Sequence, residues 1–297
     1  MRIAVTGLTG QVVQSLLERG AAAGHEIVAV GRPALDLASP DADAIHRALA
    51  AVAPEAIVSA AAYTAVDRAE SEADLAFAVN AAGAGHVATA ADRLGVPLVH
   101  LSTDYVFAGD SARPYREDDP TGPTGIYGAS KLAGEQAVGA ACANSAILRT
   151  AWVYSPFGAN FVKTMLRLAE SRDTLGVVSD QWGNPTSALD IADAILAVLG
   201  NLAGSNDPAL RGLFHLTGTG DTNWAGFAAA IFAESAARGG PTATVNAITT
   251  AEYPTPARRP ANSRLDGEKL ARVHGVRLPT WQSSTATVVA RLLAPQA

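Results

Sequence analysis

The chain has 297 residues, of which 48% are hydrophobic and 17% charged; this excludes a wholly disordered chain and supplies one large α/β domain carrying a smaller lobe. Its 28 acidic and 22 basic residues leave a net charge of -6, without the basic stripe that nucleic acid or an anionic membrane surface requires. Cys142 is the single cysteine, so neither an intrachain disulfide nor a cysteine-based zinc cluster can form; the first apolar run, Ile3 to Val5, is too short for a signal-peptide core, and no later stretch is an uninterrupted membrane span. A cytoplasmic protein is expected.

Short apolar runs alternate with longer helical patterns. Arg2 to Thr6, Glu26 to Val30, Ala56 to Ser59, Leu98 to Ser102 and Ala146 to Thr150 read as buried parallel strands, with helices between them. The alternation predicts a doubly wound, parallel Rossmann-type sheet whose ligand lies at the carboxyl ends of the strands. Residues 1–150 and roughly 161–200 are assigned to this dinucleotide-binding domain, with a helix from Ser187 towards Leu199. The Gly/Asn/Asp/Pro-rich stretch from Gly200 to Pro208 then marks a boundary. Roughly 151–160 and 201–297, punctuated by Pro254, Pro256, Pro260 and Pro279, form a smaller, loop-rich substrate lobe.

The first strand runs into TGLTGQV, where Gly7 and Gly10 precede a helical pattern from Gln11 to Arg19. Backbone N–H groups at such a helix start, aided by the helix dipole, hold a pyrophosphate, and glycine permits its close approach. The spacing is G-x-x-G, and Val13 stands where a third glycine would allow close helix–strand packing; a branched side chain there is expected to push the helix outward. The second strand ends at Val30-Gly31-Arg32, where NAD-selective folds place a carboxylate. Basic Arg32 suits a 2'-phosphate and tilts the cofactor towards NADPH, with NADH as the alternative. Asp36, in the following loop, is a weaker candidate for the adenosine end.

The acidic run Asp67, Glu70, Glu72 and Asp74 reads as a solvated helix start, and no metal is assigned. His100, in the fourth strand, reads as a packed histidine. That strand ends in Ser102-Thr103-Asp104, which sets hydroxyls at the ligand-binding edge; Thr103 can donate to a carbonyl oxygen there. Tyr127 and Lys131, in IYGASKLAGE, form Y-x-x-x-K and share one helix face. A nearby ammonium is expected to lower the phenol pKa from about 10, so that Tyr127 exchanges protons with a carbonyl near neutral pH. Trp152, two residues beyond Thr150, is placed to wall off a sugar, and Arg258 and Arg259 in PTPARRP suit a nucleotide diphosphate.

A phosphate loop, a strand-end STD and a downstream Tyr/Lys helix, in this order, resemble the extended short-chain dehydrogenase/reductase superfamily. Over nearly its whole length the chain is similar to the dTDP-4-dehydrorhamnose reductases, through segments such as SAAAYTAVDRAE, VNAAG, HLSTDYVFAG, LRTAWVY, SDQWGNPTSALDIA, FHLTGTGDTNW and YPTPARRPANSRLD. The resemblance implies Thr103, Tyr127 and Lys131 as the catalytic set. It further implies Gly10, Gln11, Val12, Asp36, Leu37, Ala62, Tyr63, Thr64 and Leu101 beside the dinucleotide, and Thr103, Asp104 and Trp152 at the substrate. The implied reaction is reduction of the 4-keto group of dTDP-4-dehydro-L-rhamnose to dTDP-L-rhamnose, by a monomer or homodimer. Two alternatives share the fold: a nucleotide-sugar epimerase or dehydratase, and a noncatalytic regulatory subunit of the kind that partners methionine adenosyltransferase. Dehydratases carry an acid just after the Thr-Asp pair, where this chain has Tyr105.

Overall fold

The computed structural model describes residues 1–39 and 41–294. Five strands follow the chain in order: β1 (Arg2–Thr6), β2 (Glu26–Val30), β3 (Ala56–Ser59), β4 (Leu98–Thr103) and β5 (Ser145–Thr150). A sixth, β6 (Gly212–His215), closes one edge, and the order across the sheet is β6-β5-β4-β3-β1-β2 with every pair parallel. The chain leaves β1 for β2 on one side and returns to β3 on the other. The crevice where that direction reverses, at the carboxyl ends of β1 and β3, is where such sheets bind their ligands.

Alternation along each strand feeds two cores. Ile3 and Val5 pack with Leu16 of α1 (Gln11–Ala22), while Ala4 faces Ile45 of α2 (Ala42–Ala50) and Val87 of α3 (Ala84–Leu94). The catalytic-motif helix α4 (Ile126–Ala141) joins the second layer through Val138. It comes unusually close to its neighbours: a Cβ on Gly128 would sit 2.1 Å from the Tyr105 carbonyl oxygen, and one on Gly134 would sit 2.1 Å from that of Asn80. Two glycines inside a helix each cost roughly 1 kcal/mol against alanine, and this contact is what that cost permits.

A third core lies beyond the sheet. Val162 and Met165 of α5 (Phe161–Ala169), Leu175 and Val177 of the strand Thr174–Val178, and Phe227 and Ile231 of α7 (Trp224–Ala236) pack with Trp281 and Val288 of α8 (Trp281–Leu293). Thr174–Val178 pairs in parallel with Thr244–Ile248. The packing therefore departs from the expected boundaries: 161–178 contribute to the outer core, and 212–215 belong to the main sheet. The helix α6 (Ala188–Gly204), capped by Ser187, also runs past Leu199, because buried Leu202 continues its apolar face beyond Gly200.

Candidate active site

A cleft of about 1040 Å³ opens at the carboxyl ends of β1, β3 and β4. At its floor the Thr6 hydroxyl accepts from the N–H groups of Ala60 and Ala61, each at 3.0 Å, tying the turn after β1 to the turn after β3. Gly7 has φ +102°, a conformation that side chains disfavour, and Gly10 caps α1 in extended geometry. No side chain caps α1 and no acid lies in its first turn, so its leading N–H groups face the cleft unneutralised.

Val13 does not stand proud of the sheet. It is 2% exposed, in the core with Ile3, Val5 and Leu16, and its Cγ2 lies 3.4 Å from where a Gly7 Cβ would be. A Cβ at Gly7 would meet Val13 only in ordinary contact, so the left-handed φ, not room for Val13, is what calls for glycine there. Gln11 braces the helix start: its Oε1 accepts from Ser155 Oγ at 2.8 Å and from Asn160 Nδ2 at 3.0 Å. That leaves the Gln11 backbone N–H, with that of Val12, for an anion.

Gly7, Gly10, Gln11, Val12, Arg32, Asp36, Leu37, Ala62, Tyr63, Thr64 and Leu101 all line this one cleft, as do Thr103, Asp104, Tyr127, Lys131 and Trp152. Arg32 is exposed at the end of β2, whereas Asp36 turns one carboxylate oxygen onto the Ala38 N–H at 3.0 Å. Arg258 and Arg259 are not among the lining residues: Arg258 is exposed, and Arg259 is paired with Asp67 at 2.8 Å. The acidic run is correspondingly less solvated than expected. Besides Asp67, Glu70 accepts from the Ile126 N–H at the start of α4 at 2.9 Å, and Glu72 accepts from the Tyr63 hydroxyl at 2.6 Å.

Sequence reasoning assigned no role to Asn80, which sits in a π-helical segment (Ala78–Gly83). Its side chain holds both the N–H and the carbonyl of Tyr63, at 2.8 and 3.0 Å, and donates to Ser130 Oγ of α4 at 3.0 Å. One amide thus locks the loop Ala62–Thr64 to the helix carrying Tyr127. The signal was present in VNAAG, a lone polar residue among small apolar ones, but a buried amide's partners are not legible from spacing.

Thr103, Asp104 and Lys131 are all buried, and the Thr103 hydroxyl donates to Asp104 Oδ1 at 2.9 Å. Asp104 Oδ2 has no hydrogen-bond partner. Burial raises this carboxyl to about 6, against the opposing pull of the nearby Ser263 hydroxyl, which completes no hydrogen bond to Oδ2, and of the Thr103 hydroxyl. The Lys131 ammonium donates to the Leu101 carbonyl at 2.7 Å; burial lowers it to about 8, with Glu135 acting the other way. Tyr127 lines the cleft half-buried, edge-on to Tyr105 at 5.5 Å, with its hydroxyl desolvated.

Burial of that hydroxyl and the charge of Asp104 push the Tyr127 phenol up to about 12, offset in part by Thr103. This corrects the expectation of a lowered phenol pKa. The lysine charge is directed at Leu101, and desolvation together with a like-signed carboxylate decides the balance. A phenol so placed is fully protonated at neutral pH, which is the state a proton donor needs.

Trp152 forms one wall. Its φ of +48° is rare for a bulky residue, and it is held there by stacking on Trp224, with ring centroids 3.6 Å apart, and by Gly183 beneath, where a Cβ would sit 2.4 Å from Trp152 Cε2.

The family model described as the RmlD substrate binding domain matches residues 1–294. A dTDP-4-dehydrorhamnose reductase of Sinorhizobium fredii is 52% identical over 295 residues, covering 99% of this chain and 98% of that one. A crystal structure of a dTDP-4-dehydrorhamnose reductase from Clostridium acetobutylicum superposes with a TM-score of 0.90 at 35% identity, covering 98% and 99% of the two chains. That of the Bacillus anthracis enzyme, solved in complex with NADP, has a TM-score of 0.89 at 35% identity, with the same coverage. With Thr103, Tyr127 and Lys131 gathered in a Rossmann-type cleft and this match along almost the whole chain, the protein belongs to the dTDP-4-dehydrorhamnose reductase family.

Proposed function

We propose that the chain reduces the 4-keto group of dTDP-4-dehydro-L-rhamnose to the alcohol of dTDP-L-rhamnose, using NADPH. The observation that carries this reading is that Thr103, Asp104, Tyr127 and Lys131 share one cleft with the uncapped start of α1. Bound NADPH supplies the hydride. The N–H groups of Gln11 and Val12 fit its pyrophosphate, Arg32 its 2'-phosphate, and the Asn80-locked loop Ala62–Thr64 its flank.

Tyr127 donates its proton to the ketone oxygen as that oxygen gains charge, and Thr103 orients the same oxygen by turning its single hydroxyl proton from Asp104 Oδ1 to it when the sugar binds. Lys131 holds the cofactor ribose. Asp104 Oδ2, buried without a partner in the protein, accepts from a sugar hydroxyl, and Trp152 closes the wall behind the ring. Arg258, exposed and next to the Asp67-bound Arg259, is a candidate cation for the nucleotide diphosphate. We assign the main sheet with its flanking helices to the cofactor and the core built by α5, α7 and α8 to the sugar side. Tyr105 in place of an acid after Thr103-Asp104 disfavours the dehydratase alternative.

Steady-state NADPH consumption with dTDP-4-dehydro-L-rhamnose tests this reading, and titration with each dinucleotide tests the cofactor assignment. Arg32→Ala is expected to weaken NADPH binding about tenfold, as loss of one charge-assisted contact to phosphate implies, while NADH affinity changes by less than about twofold. Equal losses for both dinucleotides would remove Arg32 from the 2'-phosphate. A well-folded wild-type protein that consumes no NADPH would remove the sugar assignment.

A further inference from the structure

We propose that His100 is a positioning residue for Lys131: a neutral imidazole, fixed by Ser59, that holds the ammonium so that its remaining N–H groups point into the cleft. The inference rests on the reading of Lys131 given above.

β4 alternates: Val99 and Leu101 pack with Val5 and Leu16 in the first core, while His100 and Ser102 face α4. His100 is 1% exposed. Its Nδ1 lies 3.0 Å from Ser59 Oγ at the end of β3, and its Nε2 lies 3.5 Å from Lys131 Nζ, a long contact. Lysine has only donors to offer, so Nε2 must be the acceptor, and the ring proton is thereby placed on Nδ1, donating to Ser59 Oγ. Lys131 Nζ then has two fixed acceptors on one side, the Leu101 carbonyl at 2.7 Å and His100 Nε2. Its third N–H is left for the cleft, which Lys131 lines.

The charged surroundings support a neutral ring. Burial and the adjacent ammonium hold the His100 imidazole well below its ordinary range, so it does not compete for the positive charge. The groups facing Lys131 are His100 from β4 and Tyr127 and Glu135 from α4, the last of these paired in turn with Arg149 of β5. A packed core histidine would need none of this; a phenylalanine would fill the space as well. The chain of three residues Ser59, His100 and Lys131 joins β3, β4 and α4 immediately beneath the cofactor side of the cleft.

The test is NADPH binding, measured by fluorescence titration across pH on the full chain, so that it does not depend on the sugar assignment. Removing the Nε2 acceptor destabilises the ammonium, so Lys131 loses its proton at lower pH. His100→Phe is therefore expected to weaken NADPH binding about fivefold at neutral pH and to move the alkaline loss of binding down by about half to one pH unit. His100→Gln, whose side-chain oxygen reaches the Nε2 position, is expected to restore both to within about twofold. Ser59→Ala, which frees the ring tautomer, should shift the alkaline limb in the same direction by a smaller amount. His100→Phe with wild-type affinity and limb would overturn the proposal. Should that variant not fold, an unchanged limb in Ser59→Ala would do so. Absence of NADPH binding by the wild type would instead overturn the functional reading.

Discussion

Tyr127→Phe is expected to lower kcat about a thousandfold while changing NADPH affinity by less than about threefold, because general acid catalysis contributes on the order of 10²–10⁴ and the ring itself remains. The phenol is pushed up to about 12 by burial and by Asp104, so it is fully protonated at neutral pH and ready to donate. The pH dependence then comes from its neighbours. Asp104, raised to about 6, is ionised and able to accept from the sugar only above that value, and Lys131, lowered to about 8, loses its positive charge as pH rises past it. The kcat/KM profile of the wild type, which reports groups of the free enzyme, should therefore rise through about 6 and fall through about 8. A phenylalanine variant retaining more than about a tenth of wild-type kcat would take the proton away from Tyr127.

The largest expected loss of stability is at Glu135→Leu. Glu135 and Arg149 are both nearly inaccessible, at 7% and 3%, and form a two-pronged pair with distances of 2.8 and 2.7 Å. Ser102 Oγ donates to the same carboxylate at 2.6 Å, and the guanidinium lies 4.8 Å above the Phe107 ring. Removing one partner leaves a buried, unpaired charge, which costs about 3–5 kcal/mol, or roughly 5–10 °C in Tm for a chain of this size. Replacing both, as Glu135→Leu with Arg149→Met, removes the uncompensated charge and is expected to recover most of that loss. Thermal denaturation of the two single variants and the double variant decides: an additive double variant would mean that the pair is not coupled in this way.

The first five strands were legible because each is a short, largely apolar run, buried on both faces in all but the edge strand β2, and observed strand ends lie within one residue of those expected. The gathering of Gly7, Arg32, Thr103, Tyr127 and Lys131 in one cleft was legible for a different reason: a parallel sheet brings all strand carboxyl ends to one edge, so residues far apart in sequence become neighbours by topology. What was not legible depended on contacts between elements. Val13 is tolerated because it packs into the core with Ile3, Val5 and Leu16, and the pKa of Tyr127 is set by burial beside Asp104 rather than by the lysine one turn away. The outer core recruits 161–178 through Val162, Met165 and Leu175, whose apolar pattern does not say which partner it will meet. The pairing of Arg259 with Asp67, far away in sequence, was not legible either.

The central claim is that hydride from NADPH arrives at ring carbon four of the sugar. The most direct test is to incubate the wild-type protein with dTDP-4-dehydro-L-rhamnose and NADPH carrying deuterium at both positions of nicotinamide carbon four, and to locate the label in the product by NMR. The account predicts one deuterium at carbon four of dTDP-L-rhamnose for each NADPH oxidised. Sugar converted without net NADPH oxidation, or product bearing no label at that carbon, would contradict it.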